Sequence, residues 1–188
     1  MTTTVQEATT VNGINVSALK QSIADIEAHP AAGQTNWKVS TRWEGGTRTD
    51  HFVEGFGLGG EHVQRRFRIQ VDEPCELCGT NEFANPQEYL LAATNACVAV
   101  GFASVAAVMG VELTKLELEI TGDIDLRGFL DIDRSVPPGY ERLHMTVRIA
   151  GNGTPEQFQK MHEVVQRTSP NFYNISHPIA LTSELVIE

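Results

Sequence analysis

Apolar positions along the chain follow two periods. Between Val16 and Ala28, Leu19, Ile23 and Ile26 recur at helical spacing, with Ser17 placed to cap the helix. His29-Pro30 ends it, because proline disfavours the helical conformation in the residue before it. The period then falls to two. Large and polar residues alternate from Trp37 to Trp43, as in a half-buried strand. Gly45-Gly46 turns the chain, and two more strands are predicted at Thr49 to Phe56 and His62 to Val71, separated by Gly57-Leu58-Gly59-Gly60. Phe67, Ile69 and Val71 form the inward face of the latter. The first dozen residues are Thr-rich, lack a period and read as a loose tail. Asp72 to Ala84 reads as a loop holding Pro74, Cys75, Cys78 and Gly79.

Asn85-Pro86-Gln87-Glu88 is a strong helix start. Asn85 can cap, Pro86 suits the first helical position, and Glu88 completes a capping box. The helix runs to Met109, with Gly110 as its terminator. Val111 to Leu126 alternates, Leu116, Leu118 and Ile120 against Lys115, Glu117 and Glu119. A loop from Arg127 to Gly139 follows, then a strand from Tyr140 to Ile149 with Leu143, Met145, Val147 and Ile149 on one face. Thr154-Pro155-Glu156-Gln157 is a second capping box, whose helix carries Phe158, Met161, Val164 and Val165 and stops before Ser169-Pro170. Ile179 to Ile187 reads as a last alternating strand. Strand runs separated by helices predict an α+β domain with antiparallel sheet.

No residue from Tyr89 to Val111 is charged, a length able to span a bilayer. Its Ala, Gly, Thr, Ser and Asn content suits close packing inside a protein better. A helix apolar on all sides needs cover on all sides. A second copy of the chain is the simplest cover, which predicts an intimate homodimer.

Charge narrows the partners. Of 188 residues, 14 are Lys or Arg and 24 Asp or Glu, a net charge of −10. An acidic surface is a poor match for nucleic-acid phosphates or an anionic membrane, so neither is expected as a partner. The length suits one domain with an extension, and a 41 % hydrophobic content is enough for a core. The three cysteines, Cys75, Cys78 and Cys97, are odd in number and unevenly spaced, unlike a secreted disulfide scaffold. The chain opens without a basic segment followed by an apolar run, so no signal peptide is expected. The expected location is cytoplasmic.

Cys97, in the middle of the uncharged helix, reads either as a small core residue or as a thiolate nucleophile. The second role needs an electropositive or hydrogen-bonding neighbour. Arg42, Arg48, Arg65, Arg66 and Arg68 are available. Cys75-Glu76-Leu77-Cys78 is a CxxC, open to reading as a redox pair, half of a zinc site, or incidental loop residues. A zinc site would need two more ligands, and no second CxxC occurs. The histidines are scattered and form no HExxH, and the glycine run at 57–60 lacks phosphate-loop spacing. The Asp123/Asp125 and Asp131/Asp133 pairs read as solvent-facing.

Asn85-Pro86-Gln87-Glu88-Tyr89-Leu90-Leu91-Ala92-Ala93, followed by Ala96-Cys97, resembles the central helix of the OsmC/Ohr family, osmotically induced and organic hydroperoxide resistance proteins. Asp72-Glu73-Pro74, Met109-Gly110-Val111, Gly122-Asp123, Asp125-Leu126-Arg127-Gly128, Thr154-Pro155 and Ser169-Pro170 fall in the family's order. The resemblance covers about Trp37 to Glu188, which marks residues 1–35 as an N-terminal tail and helical extension and residues 36–188 as an OsmC-like domain. It implies an α+β fold in which antiparallel sheets wrap central helices in an intertwined homodimer, with active sites at the interface.

The resemblance also implies a thiol-dependent peroxidase. Cys97 matches the attacking cysteine, Arg48 is the best match for the arginine that holds thiolate and peroxide, with Arg42 second, and Glu88 belongs to the helical motif. The implied substrate is an organic hydroperoxide or hydrogen peroxide; no bound cofactor or metal is implied, only an external dithiol reductant. This chain departs from the pattern in three places. The resolving cysteine corresponds to Ser169, the first glutamate of the motif is Gln87, and Cys75 and Cys78 are added. Cys75 or Cys78 is therefore a candidate resolving or redox pair. The rival reading is a non-peroxidatic protein of the same fold that binds a small apolar ligand at the dimer interface.

Overall fold

The computed structural model describes residues 9–188. The chain forms two compact units that divide between Ala92 and Ala93.

The first unit opens with a hairpin whose β1 (Thr10–Val11) lies inside the segment read as a loose tail and whose β2 (Ile14–Asn15) lies just beyond it. The reason is local: Asn12 and Gly13 both have positive φ, as the tight hairpin turn requires. Residues before Thr9 lie outside the described residues. Strand β2 runs directly into α1 (Val16–Ala28). Asn15 is therefore the last extended residue and caps the helix through a 2.9 Å bond from the Ala18 N–H, in place of Ser17. The helix ends before Pro30, as expected.

The strand expected at Trp37 to Trp43 is two strands, β3 (Thr35–Trp37) and β4 (Ser40–Trp43). Both pair with β5 (Thr49–Leu58), but Trp37 faces Phe56 and Ser40 faces Phe52. That is a register change of one residue, and it is taken up at Lys38-Val39, where the strand is interrupted. On its other side β5 pairs with β6 (Glu61–Val71), with a further irregularity between Val53 and Gly55. Gly55 sits there because a Cβ would run into the His62 ring. Of the inward face expected on β6, only Val71 is buried; Phe67 is 55 % exposed and Ile69 is exposed too.

Helix α2 (Pro86–Val108) begins in the first unit with the predicted capping box. The Glu88 N–H donates to Asn85 Oδ1 at 2.9 Å, and the Asn85 N–H donates to Glu88 Oε2 at 2.8 Å. The helix ends at Gly110, whose positive φ allows the Val111 N–H to reach Ala106 O and the Gly110 N–H to reach Ala107 O.

In the second unit β7 (Leu113–Thr121) and β8 (His144–Gly151) form an antiparallel ribbon that pairs Leu116 with Ile149, Leu118 with Val147 and Ile120 with Met145. The short α3 (Leu126–Phe129) lies between them, in the segment read as loop and strand end, because Asp125 caps it. Helix α4 (Pro155–Thr168) starts at the predicted Thr154–Gln157 capping box. Val98, Phe102 and Ala106 form one stripe of α2 at a spacing of four residues. They pack with Val111, Met161 and Val165, flanked by the ribbon's apolar face. Val100, off this stripe, is 66 % exposed. The chain alone thus buries one stripe of a helix expected to be covered all round. By length and composition α2 is able to cross a membrane, but that stripe is what a core helix shows.

Two differences lie near the C-terminus. Pro170–Ser176 is a helix, α5, capped by Ser169. Ile179 to Ile187, expected as a strand, is not in one, and Leu181 and Ile187 are among the most exposed apolar side chains described.

Candidate cysteine site

Cys97 lies one residue before Val98 on α2, next to the buried stripe, and is half-buried. Its neighbour comes from the junction of α4 and α5. There Ser169 ends one helix and caps the next, its N–H bonding Val165 O and its hydroxyl accepting from the Phe172 N–H. With that N–H occupying a lone pair, the hydroxyl donates to Cys97 Sγ at 3.3 Å. Asn171 Nδ2 donates to Ala93 O at 3.0 Å and pins the start of α5 to α2. Ser169 is 3 % exposed, so no bulk water competes for its hydroxyl. The arrangement is a directed O–H aimed at sulfur. A hydroxyl so aimed stabilises negative charge on sulfur and offers a proton when that charge is quenched.

The other candidates lie in the first unit. Arg48 follows the Gly45-Gly46 turn and pairs with Glu82 at 3.4 Å, both side chains being partly exposed. The arginine thus has a carboxylate partner even though Gln87 stands in the helical motif. Glu88 is engaged with the Asn85 N–H at the helix start. Gln87 is exposed. Arg42 lies 3.9 Å from Glu44 and over the Phe52 ring.

Cys75 and Cys78 are exposed free thiols on a tight turn. The loop that carries them is organised by Asp72, which is buried. Its carboxylate accepts from the Thr47 and Thr80 hydroxyls and from the Thr80 and Glu82 N–H groups. The Thr47 and Thr80 hydroxyls, then the backbone donors, hold Asp72 well below the usual carboxylate range against the opposing effect of burial. In the sequence Asp72 stands out only within the Asp72-Glu73-Pro74 run of the family pattern. Thr47 and Thr80, at separations of 25 and 8 residues from it, carry no local signal that they would meet there. Elsewhere, the Arg68 hydrogen bond lowers Asp50. In the second unit Arg127 holds Asp125 down to about 2. Among the described residues no three His, Cys, Asp or Glu side chains gather as a metal site would need.

Comparison with known proteins agrees with this layout. Solved structures share the fold. An OsmC-like protein from Mycoplasma pneumoniae aligns with a TM-score of 0.57 at 13 % identity, over 75 % of this chain and 87 % of that one. A Psychrobacter arcticus protein named for an osmotic stress induced and detoxification response aligns with a TM-score of 0.56 at 17 % identity, over 74 % of this chain and 88 % of that one. No curated protein matches the chain. The family described as OsmC-like protein matches residues 79–184, which include α2, the ribbon, α4 and α5. With more than half of its length matched, and with Cys97 and Ser169 both inside the match, the chain belongs to the OsmC-like family.

Proposed function

We propose that this protein is a thiol-dependent peroxidase that reduces organic hydroperoxides or hydrogen peroxide through Cys97. The observation that carries the reading is the buried Ser169 hydroxyl, held by the Phe172 N–H and donating to the Cys97 sulfur at 3.3 Å. The Cys97 thiolate attacks the distal peroxide oxygen, the O–O bond breaks, and alkoxide or hydroxide leaves and takes a proton. The product is a Cys97 sulfenic acid. A serine cannot resolve it as a disulfide, so the reductant is an external dithiol. One of its sulfurs attacks the sulfenic sulfur and expels water. Its second sulfur then releases Cys97 and leaves the reductant as a disulfide. Arg48 is proposed to stabilise the charges on thiolate and leaving oxygen, with Glu82 setting its orientation. Glu88 supports the site by holding the first turn of α2.

The protein is further proposed to be a cytoplasmic homodimer. The exposed apolar side of α2 and the open β6 face supply surface for a second copy. The rival reading, a binding protein for a small apolar ligand, draws on Ser169 and on a cleft of about 480 Å³ lined by Phe102, Met145, Val147, Ile149, Phe158 and His162. One experiment separates them. With cumene or tert-butyl hydroperoxide and dihydrolipoamide or dithiothreitol, the native protein turns over and Cys97→Ser loses most of that turnover. Equal turnover in both, or none in either, rejects the peroxidase.

A further inference from the structure

The CxxC is the one cysteine motif that the Cys97 reading leaves unused, and its backbone is specific. Residues Pro74 to Gly79 form a closed turn. The Cys78 N–H bonds Cys75 O at 3.1 Å, and the Gly79 N–H bonds Pro74 O at 3.0 Å. This is the pair of bonds that ends a helix through a left-handed residue. Cys78 occupies that left-handed position, with φ 66° and ψ 20°. Gly79 follows because a Cβ there would overlap the Glu73 carbonyl. A turn closed between Cys75 and Cys78 holds their Cα atoms within about 7 Å. Disulfides span Cα separations of about 4.4–6.8 Å. The Cα spacing set by the turn is therefore of the size a disulfide bridges, and both residues are open to solvent. The loop itself is anchored by the four donors that converge on Asp72, so the thiols are presented from a fixed frame.

We propose that Cys75 and Cys78 form a second redox site, a dithiol that closes reversibly into a disulfide across its own turn, with a hydroperoxide as oxidant. One thiolate attacks the distal peroxide oxygen and becomes a sulfenic acid as alkoxide leaves with a proton. The second thiol attacks that sulfur and expels water. In sum, two thiols and one hydroperoxide give one disulfide, one alcohol and one water. The electrons leave the two sulfurs and enter the O–O bond. An external dithiol reverses the step by exchange. The site does not depend on the peroxidase role of Cys97.

The test uses the full chain, native and as Cys97→Ser, Cys75→Ser and Cys78→Ser, treated with cumene hydroperoxide and then alkylated. No Lys or Arg lies between Arg68 and Lys115, so a tryptic digest leaves all three cysteines on one peptide. Cleavage after glutamate is used instead. It cuts at Glu76 between the pair and at Glu82 and Glu88 before Cys97. In Cys97→Ser the expected result is complete loss of both remaining thiols, a mass lower by the two thiol hydrogens, and a linked pair of peptides carrying Cys75 and Cys78. Dithiothreitol restores both thiols, and Cys75→Ser and Cys78→Ser each lose the bridge. The proposal is overturned if Cys97→Ser keeps both thiols, or if the native protein links Cys75 or Cys78 only to Cys97. A large fall in turnover in Cys97→Ser with the bridge intact leaves this site standing.

Discussion

Ser169→Cys should convert the site into a two-cysteine one. The Ser169 oxygen already lies 3.3 Å from Cys97 Sγ, so a sulfur at that position needs only a modest side-chain rotation to reach bonding distance of about 2.05 Å. The bridge would join residues 72 positions apart, α2 to the α4–α5 junction. Closing a loop of that size removes enough freedom from the unfolded chain to stabilise the oxidised protein by about 4 kcal/mol in the chain-entropy picture. For a domain of this length that raises the melting temperature by about 8–16 °C. The cost is the lost O–H donor to sulfur and a slightly larger atom at a site that is only 3 % exposed. The assay is thermal unfolding of peroxide-treated Ser169→Cys with and without dithiothreitol, beside peptide mapping. A linked Cys97 peptide and a melting temperature that falls on reduction are expected. If peroxide produces no link to Cys97 and reduction leaves the melting curve unmoved, the proximity of the two side chains and its chemical consequence are both refuted.

Other outcomes follow from the same geometry. Met161→Ala removes a side chain with no exposure from the cluster formed by α2, α4 and the ribbon, and is expected to destabilise the protein by about 2–5 kcal/mol in urea unfolding. Asp72 has a folded-state pKa below its ordinary value of 3.8. Between those two values the unfolded chain binds a proton that the folded chain does not, so stability declines as pH falls below about 4. Its contribution is fully present at neutral pH. Asp72→Asn should lower the melting temperature at pH 7 and flatten the decline below pH 4, as followed by circular dichroism across a pH series. A native protein and variant with parallel acid profiles would contradict that role. Cys97→Ser loses most of the hydroperoxide turnover while the Cys75–Cys78 bridge still forms, and adding Cys75→Ser and Cys78→Ser to it abolishes the remainder, as read by peroxide consumption with dithiothreitol.

Much of the architecture was legible because its causes act over a few residues. The Asn85–Glu88 and Thr154–Gln157 boxes each satisfy their own helix's first N–H groups, so they mark α2 and α4 in any context. Alternation did the same for β5, β6, β7 and β8, and Gly110 for the end of α2. Cys97 was identifiable from a helical motif. The break at Lys38-Val39 was not, because it is imposed by the register of a neighbouring strand. The exposure of Phe67 and Ile69 was not, because alternation shows which residues share a face and says nothing about what covers it. The expected strand at Ile179 to Ile187 failed for the same reason, since an alternating run becomes a strand only where an edge receives it.

The site divides along the same line. Residue order alone placed a cysteine on an uncharged helix and a serine where the family pattern holds a second thiol. The approach of the Ser169 hydroxyl to Cys97, the pairing of Arg48 with Glu82 and the gathering of Thr47 and Thr80 on Asp72 came only with folding. Caps and periods are satisfied within a turn or two of chain. A hydrogen bond between residues 72 positions apart exists only because two helices pack at one distance, and no short stretch of sequence encodes that distance.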